Sequence, residues 1–233
     1  MRSASDFPTA TGPVFSRSFF TLTLAFFVYV VNLNLFNLVP YFLELRGAGE
    51  ALYGAVGGMA GLASFAFIVL LGHMADTHSR KRAILLYLIP VAVSDVLALT
   101  MMQQHPAWYL LVTGLQGAMT GLGLPLLFLW AAERAPFERR MDVFAWLGVG
   151  GLCADAFGPL LGELVLNLSD NPESPQAYAA VFWAGLICFP VTLALMLATP
   201  DAPAPAVDGR QSLLPLLRRR ETLLLLAATT LFG

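Results

Sequence analysis

Long stretches with almost no charge dominate this 233-residue chain, and no other feature narrows its fold as far. They cover residues 19–45, 51–71, 83–102, 108–132, 143–166 and 177–198. Each has the roughly 20 residues a helix needs to cross a bilayer core of about 30 Å. Lipid offers the backbone no hydrogen-bonding partners, so a spanning segment must satisfy its own N–H and C=O groups, and all six runs read as α-helices. With 58% hydrophobic and 12% charged residues, the chain has too little charge to cover a water-soluble globule. The first run is too long for a signal-peptide core and is expected to remain as a helix. The predicted fold is an all-α integral membrane protein with six transmembrane helices, and its first partner is the lipid bilayer.

The basic residues give this fold an orientation. Arg80, Lys81 and Arg82 lie between the second and third runs, and Arg134, Arg139 and Arg140 between the fourth and fifth. Arg2, Arg17, Arg210, Arg218, Arg219 and Arg220 lie in the terminal segments, so Arg46 alone falls on the opposite side. Short loops rich in Lys and Arg stay cytoplasmic, which places the N-terminus in the cytoplasm of a multi-pass plasma-membrane protein, of the bacterial inner-membrane kind. A net charge of -2 carries no signal for a nucleic-acid partner. Cys153 and Cys188 both sit inside apolar runs, and no metal-ligand spacing, catalytic group or cofactor motif is present, so no cofactor is expected.

The most informative motif is the charged hinge between the second and third runs, Gly72-His73-Met74-Ala75-Asp76-Thr77-His78-Ser79-Arg80-Lys81-Arg82. A solvated positive loop accounts for its basic cluster but not for Gly72 or Asp76. The pattern resembles the signature loop between helices 2 and 3 of the major facilitator superfamily of secondary transporters, with Met74, Thr77 and Ser79 departing from it. The resemblance implies that Asp76 sits against a helix N-terminus in the other half of the transporter, where a helix dipole favours a carboxylate. It also implies that Arg80 pairs with Glu133 near the end of helix 4. Gly72, Asp76, Arg80 and Glu133 would then form a conformational latch.

Other segments extend this likeness. Gly158-Pro159-Leu160-Leu161-Gly162 resembles the core of the antiporter motif of drug-exporting members, with Ala154 and Glu163 in place of two glycines. Pro159 kinks its helix by freeing a carbonyl in the preceding turn. Thr113 stands where many proton-coupled relatives carry an arginine, three residues before Gln116-Gly117. Gly54, Gly57, Gly58 and Gly61 in helix 2 form small-residue pairs of the kind that bring membrane helices close.

The polar residues inside the runs give the candidate solute path. Asn34, Asn37, Tyr41 and Glu44 lie at helical spacing on one stripe of helix 1, next to Pro40, which offers a bend. Helix 1 lines the central cavity in the superfamily, so Asn37 and Tyr41 are the first candidates for solute contact. Thr113, Gln116 and Thr120 form a second stripe, which either lines the path or spends its hydroxyls on its own helix. Asp95 and Asp155 fall near mid-membrane, where an aspartate costs about 3 kcal/mol on insertion scales. Each is a candidate proton carrier or a carboxyl bridging helices, and Asp155 shares its stripe with Gly151, Gly158 and Gly162, as in a tight helix seam.

The expected organisation is a six-helix N-terminal half at 1–200, built from two inverted three-helix repeats, a cytoplasmic linker at 201–221, and the start of helix 7 at 222–233. In the superfamily the solute site lies between two halves, so the missing partner is a C-terminal half, in the same chain or a second one. The expected function is alternating-access transport of a small solute, with metabolite or drug-like efflux favoured by the antiporter motif. The alternatives are a membrane adaptor derived from a half-transporter and, on His73, Asp76 and His78, a membrane-embedded enzyme.

Overall fold

A computed structural model describes residues 16–77, 79–101 and 105–200, with side chains described outside 69–77, 118–119 and 122. The described residues are helical, with no strand among them. In chain order the helices are α1 (Arg17–Leu35), α2 (Val39–Leu45), α3 (Glu50–Thr77), α4 (Arg80–Thr100), α5 (Tyr109–Ala118), α6 (Leu124–Ala132), α7 (Arg140–Asn167) and α8 (Pro175–Ala198). Five continuous segments among them are long and apolar enough to span a membrane: Arg17–Leu45, Glu50–Ile68, Arg80–Thr100, Phe137–Asn167 and Pro175–Ala198. The expected linker and helix 7 start fall outside the described residues.

Local chemistry sets the ends of these helices. Ser16, Ser79 and Ser174 each stand at an N-cap, their hydroxyls accepting from the N–H of Phe19, Arg82 and Ala177 at 3.2 Å. Pro175 follows its cap at the first turn, where its missing N–H costs nothing. At the end of α2 the chain reverses through Gly47 at φ 72°, with Gly47 N–H bonded to Glu44 O and Ala48 N–H to Leu43 O. That pair of bonds is a Schellman stop, and its left-handed residue favours glycine.

Three expectations are corrected by these ends and breaks. The charged hinge is mostly helix: α3 continues to Thr77 and α4 starts at Arg80. Ser79, in place of a glycine, serves as the cap that starts α4. The first run stays one continuous span, Arg17–Leu45, but its α-helix is interrupted by a tight 3-10 turn at Phe36–Leu38 with Pro40 in the first turn of α2. The fourth run is also broken, by a π-helical segment at Met119–Gly123. Pro125 has no N–H to give the carbonyl four residues back, so the α-helical ladder cannot pass through that point.

α1 is the central strut, packed along α7 and α8, while α3 lies on α5, and α4 touches both α5 and α8. One core cluster gathers Phe26, Tyr29, Tyr87, Leu127 and Trp130 toward the basic end of the bundle. A second, toward the far end, is built on Phe42, whose ring lies 5.5 Å from Tyr109, 5.3 Å from Tyr178 and 5.9 Å from Phe182. The break before α2 delivers Phe42 to this aromatic cluster. Packing of this kind, rather than water exclusion, holds helices together in lipid.

The glycines do their packing elsewhere than expected. A Cβ on Gly54, Gly57, Gly58 or Gly61 would meet nothing within 4 Å, so those glycines of α3 bring no helix of this bundle close. The close approach comes from the other side: a Cβ at Gly117 would lie 2.5 Å from the Ala60 carbonyl, and one at Gly121 would strike the Ser64 backbone. Gly158 and Gly162 of α7 likewise have no room, facing Asn34 and Leu38.

Candidate functional site

A cavity of about 260 Å³ opens between α1, α2, α3 and α5, lined by Asn37, Pro40, Tyr53, Gly57, Thr113 and Gln116 among others. Its wall is largely apolar, with a few polar groups placed on different helices. The helix break at Phe36–Leu38 puts Asn37 on its rim, and the close contact of Gly117 with α3 sets its floor. Gln116 is 7% exposed, and its Nε2 has no hydrogen-bond partner. The hydroxyl of Tyr53 is likewise buried and unpartnered. A buried donor left without an acceptor costs about 1–3 kcal/mol, which a ligand oxygen would relieve.

The remaining threonines behave differently. Thr113 lines the cavity, and its Oγ1 donates to its own helix at Tyr109 O, 2.8 Å away, so its proton is already spent. Thr120 joins Ser64, whose Oγ lies 2.7 Å from Thr120 Oγ1 and 2.8 Å from the carbonyls of Ala60 and Gly117. This three-way bond ties α3 to the start of the π segment.

The stripe on helix 1 divides. Asn34 is 8% exposed and does not line the cavity; its Nδ2 donates to Asp155 Oδ1 at 2.8 Å and to Val30 O at 3.0 Å. Asn37 Nδ2 donates to Asn34 Oδ1 at 2.7 Å, completing a chain from α7 through α1 to the cavity rim. Asp155 is exposed at the edge of the α1–α7 seam, where Gly158 and Gly162 admit α1 closely. Pro159 lies within the same helix. Tyr41 is 61% exposed and faces a separate recess with Glu44, Leu45, Glu173 and Tyr178. The 3-10 turn rotates α2 relative to α1, so helical spacing across the break no longer keeps one face.

At the basic end, Arg80 is 6% exposed and meets Glu133, with Nε and Nη2 each 3.2 Å from Oε1. Lys81 Nζ donates to the carbonyls of Leu197 and Thr199 at 2.8 and 2.7 Å, at the negative end of the α8 dipole. The Arg134 guanidinium donates to the Pro200 carbonyl and stacks 4.5 Å over the Trp130 ring. Gly72 and Asp76 belong to α3 by backbone, and their side-chain surroundings, with those of His73 and His78, lie outside the described residues.

Compared with family models, residues 21–233 match the Major Facilitator Superfamily. The chain belongs to that superfamily. A comparison with curated proteins returned no match. As a major facilitator it is a multi-pass membrane protein and a secondary transporter of small solutes, and its exposed apolar helix faces suit a bilayer. This superfamily member also carries polar groups that sequence reasoning passed over. Tyr53 and Ser64 sit in an apolar run as single residues, with no periodic partner to mark them. Asn32 lies two residues from Asn34 and so on nearly the opposite face of α1, away from the stripe that drew attention.

Proposed function

We propose that this chain supplies one side of a solute path for alternating-access efflux of an amphipathic metabolite or drug-like molecule. The observation that carries the reading is the cavity between α1, α3 and α5, where the Gln116 amide is buried with an unused donor. Apolar walls with a few convergent polar groups are the usual make-up of a small-molecule site. Asn37 on the rim and Tyr53 across it add a second amide and a phenol. The Gly158-Pro159-Leu160-Leu161-Gly162 segment supports export by its likeness to the antiporter motif.

In this reading residues 1–200 form the N-terminal half, with its N-terminus in the cytoplasm, and a C-terminal half closes the path. Gly72, Asp76, Arg80 and Glu133 form the latch at the cytoplasmic end, supported by the Arg80–Glu133 ion pair. The Asp155–Asn34–Asn37 chain links the α7 seam to the solute, so that occupancy of the cavity bears on the packing of α1 against α7.

The test is efflux of a panel of amphipathic dyes from cells expressing the complete protein. Gln116→Ala and Asn37→Ala are each expected to lower flux about tenfold, the weight of one hydrogen bond of ~1.4 kcal/mol. Asp76→Asn should cripple flux, while Asp142→Asn, at an exposed pair with Arg139, should leave it unchanged. Normal flux in both cavity variants would sink the solute path, and normal flux in Asp76→Asn would sink the latch.

A further inference from the structure

The recess beside Tyr41 shares no residue with the solute cavity, and its chemistry is of another kind. It holds about 340 Å³ and is lined by Tyr41, Glu44, Leu45, Glu173 and Tyr178. Two carboxylates and two phenol rings border one space, at the end of the bundle away from Arg80 and Lys81. Tyr41 and Glu44 stand three residues apart on one face of α2, whose end is fixed by the Schellman stop at Gly47. Glu173 is set by a turn, its N–H donating to Asn171 Oδ1 at 3.2 Å while Ser174 N–H donates to Asn171 O at 3.0 Å. Ser174 caps α8, and one turn into that helix the Tyr178 ring rests 5.3 Å from Phe42.

Carboxyl groups within the bundle have partners: Asp95, Asp155 and Glu133 accept from Asn32, Asn34 and Arg80. Among the described residues, Glu44 and Glu173 form no ion pair, and their carboxylates accept no hydrogen bond. Tyr178 is only 6% exposed, yet its hydroxyl has no hydrogen-bond partner among them either. The titratable groups that act on this hydroxyl are Glu173, Glu44 and Tyr41, which places it at the recess they share. A phenol buried to that degree normally finds a partner, and its open side here is the recess. Arg46, just past α2, does not line the recess; it acts on the Tyr109 phenol, which also packs on Phe42.

Such a lining suits positive charge carried on an apolar body. The carboxylates attract the charge, phenol rings offer the negative faces that hold a cation within about 6 Å, and Leu45 adds apolar contact. A bare divalent metal is a poorer match, because hard cations take about six or more oxygen ligands. Among the described residues no group of three or more acidic, His or Cys side chains is gathered to supply them. We propose that the recess is a binding site for a monovalent organic cation, a quaternary ammonium or a protonated amine, held by the Tyr41 and Tyr178 phenols and balanced by Glu44 and Glu173. The recess lies at the outer end in the orientation proposed above, so it gives cationic solutes a station beside the exit of the path. That role in efflux rests on the proposed path, whereas the binding site itself does not.

The test uses the complete protein, purified in an uncharged detergent, with tetraethylammonium as the probe and equilibrium dialysis as the measurement. Glu44→Gln and Glu173→Gln are each expected to weaken binding about fivefold and Tyr41→Ala about threefold, whereas Tyr41→Phe keeps the ring and the affinity. All three side chains are exposed, so these variants are expected to fold normally. Absence of tetraethylammonium binding would overturn the proposal, as would unchanged affinity in both carboxylate variants or in Tyr41→Ala. Displacement of the probe by micromolar calcium would mark a metal site and overturn it as well. Gln116→Ala, which lowers flux through the solute path, should leave this binding unmoved; loss of binding in that variant would put the probe in the solute cavity instead of the recess. Loss of flux and loss of recess binding are separate outcomes, so the two readings fail separately.

Discussion

Gly117 and Gly54 show how differently one residue type can act within one bundle. Gly117 lies against the Ala60 carbonyl and the Ala63 methyl group, both on α3, so an added methyl has to push two helices apart. Gly117→Ala is expected to destabilise the protein by about 1–3 kcal/mol, the usual cost of overpacking. Gly54→Ala meets open space and gains helix propensity, so it should be neutral or slightly stabilising. Unfolding midpoints in detergent for the two variants decide the matter, and equal losses would contradict the packing described. Both glycines stand in small-residue patterns in the sequence. Only the placement of α5 on α3 says which of them is in contact.

At the scale of elements, the ends of α4, α6 and α8 are joined by charge. Arg80 opens α4 and reaches Glu133 just past α6, while Lys81 caps the carbonyls that end α8. Arg80 is nearly buried and Glu133 only 23% exposed in its side chain, so removing one partner leaves a charge poorly solvated. Arg80→Ala or Glu133→Ala is expected to cost about 3 kcal/mol, and the double variant to cost less than the sum. A double-mutant cycle on unfolding free energy measures this coupling, and additivity would show that the pair does not interact. The pairing of these residues was legible through the family's motif. Their burial was not, because it depends on how α4 and α6 cross.

For the whole molecule, the exposed surface is itself apolar. Leu62, Phe65, Leu152, Leu160 and Trp183 are all more than half exposed, while Trp130 is fully buried. A surface of that kind is stable only against lipid or another apolar face. Reconstituted in bilayers with brominated acyl chains, single-tryptophan variants that retain Trp183 should be strongly quenched, and those that retain Trp130 should not. Equal quenching of both would mean that the helices are arranged differently. The cavity side of the bundle follows the same logic in reverse, since there the unsatisfied groups are polar: Gln116 and Tyr53.

The sequence by itself determined the helical class, the membrane and a likeness to the family, and that likeness in turn implied the pairing of Arg80 with Glu133. These follow from run length, hydropathy, the placement of charge and a short motif, all of which are local along the chain. Tertiary structure alone decided that the helix 1 stripe splits, with Asn34 turned toward Asp155, Asn37 at the cavity and Tyr41 in a separate recess. It also decided that Asn32 meets Asp95 across 63 residues of chain. Helical periodicity predicts a shared face only while the helix is unbroken, and the turn at Phe36–Leu38 ends that rule. Which buried oxygen finds a donor is settled by helices brought together from distant parts of the chain, and no local pattern encodes it.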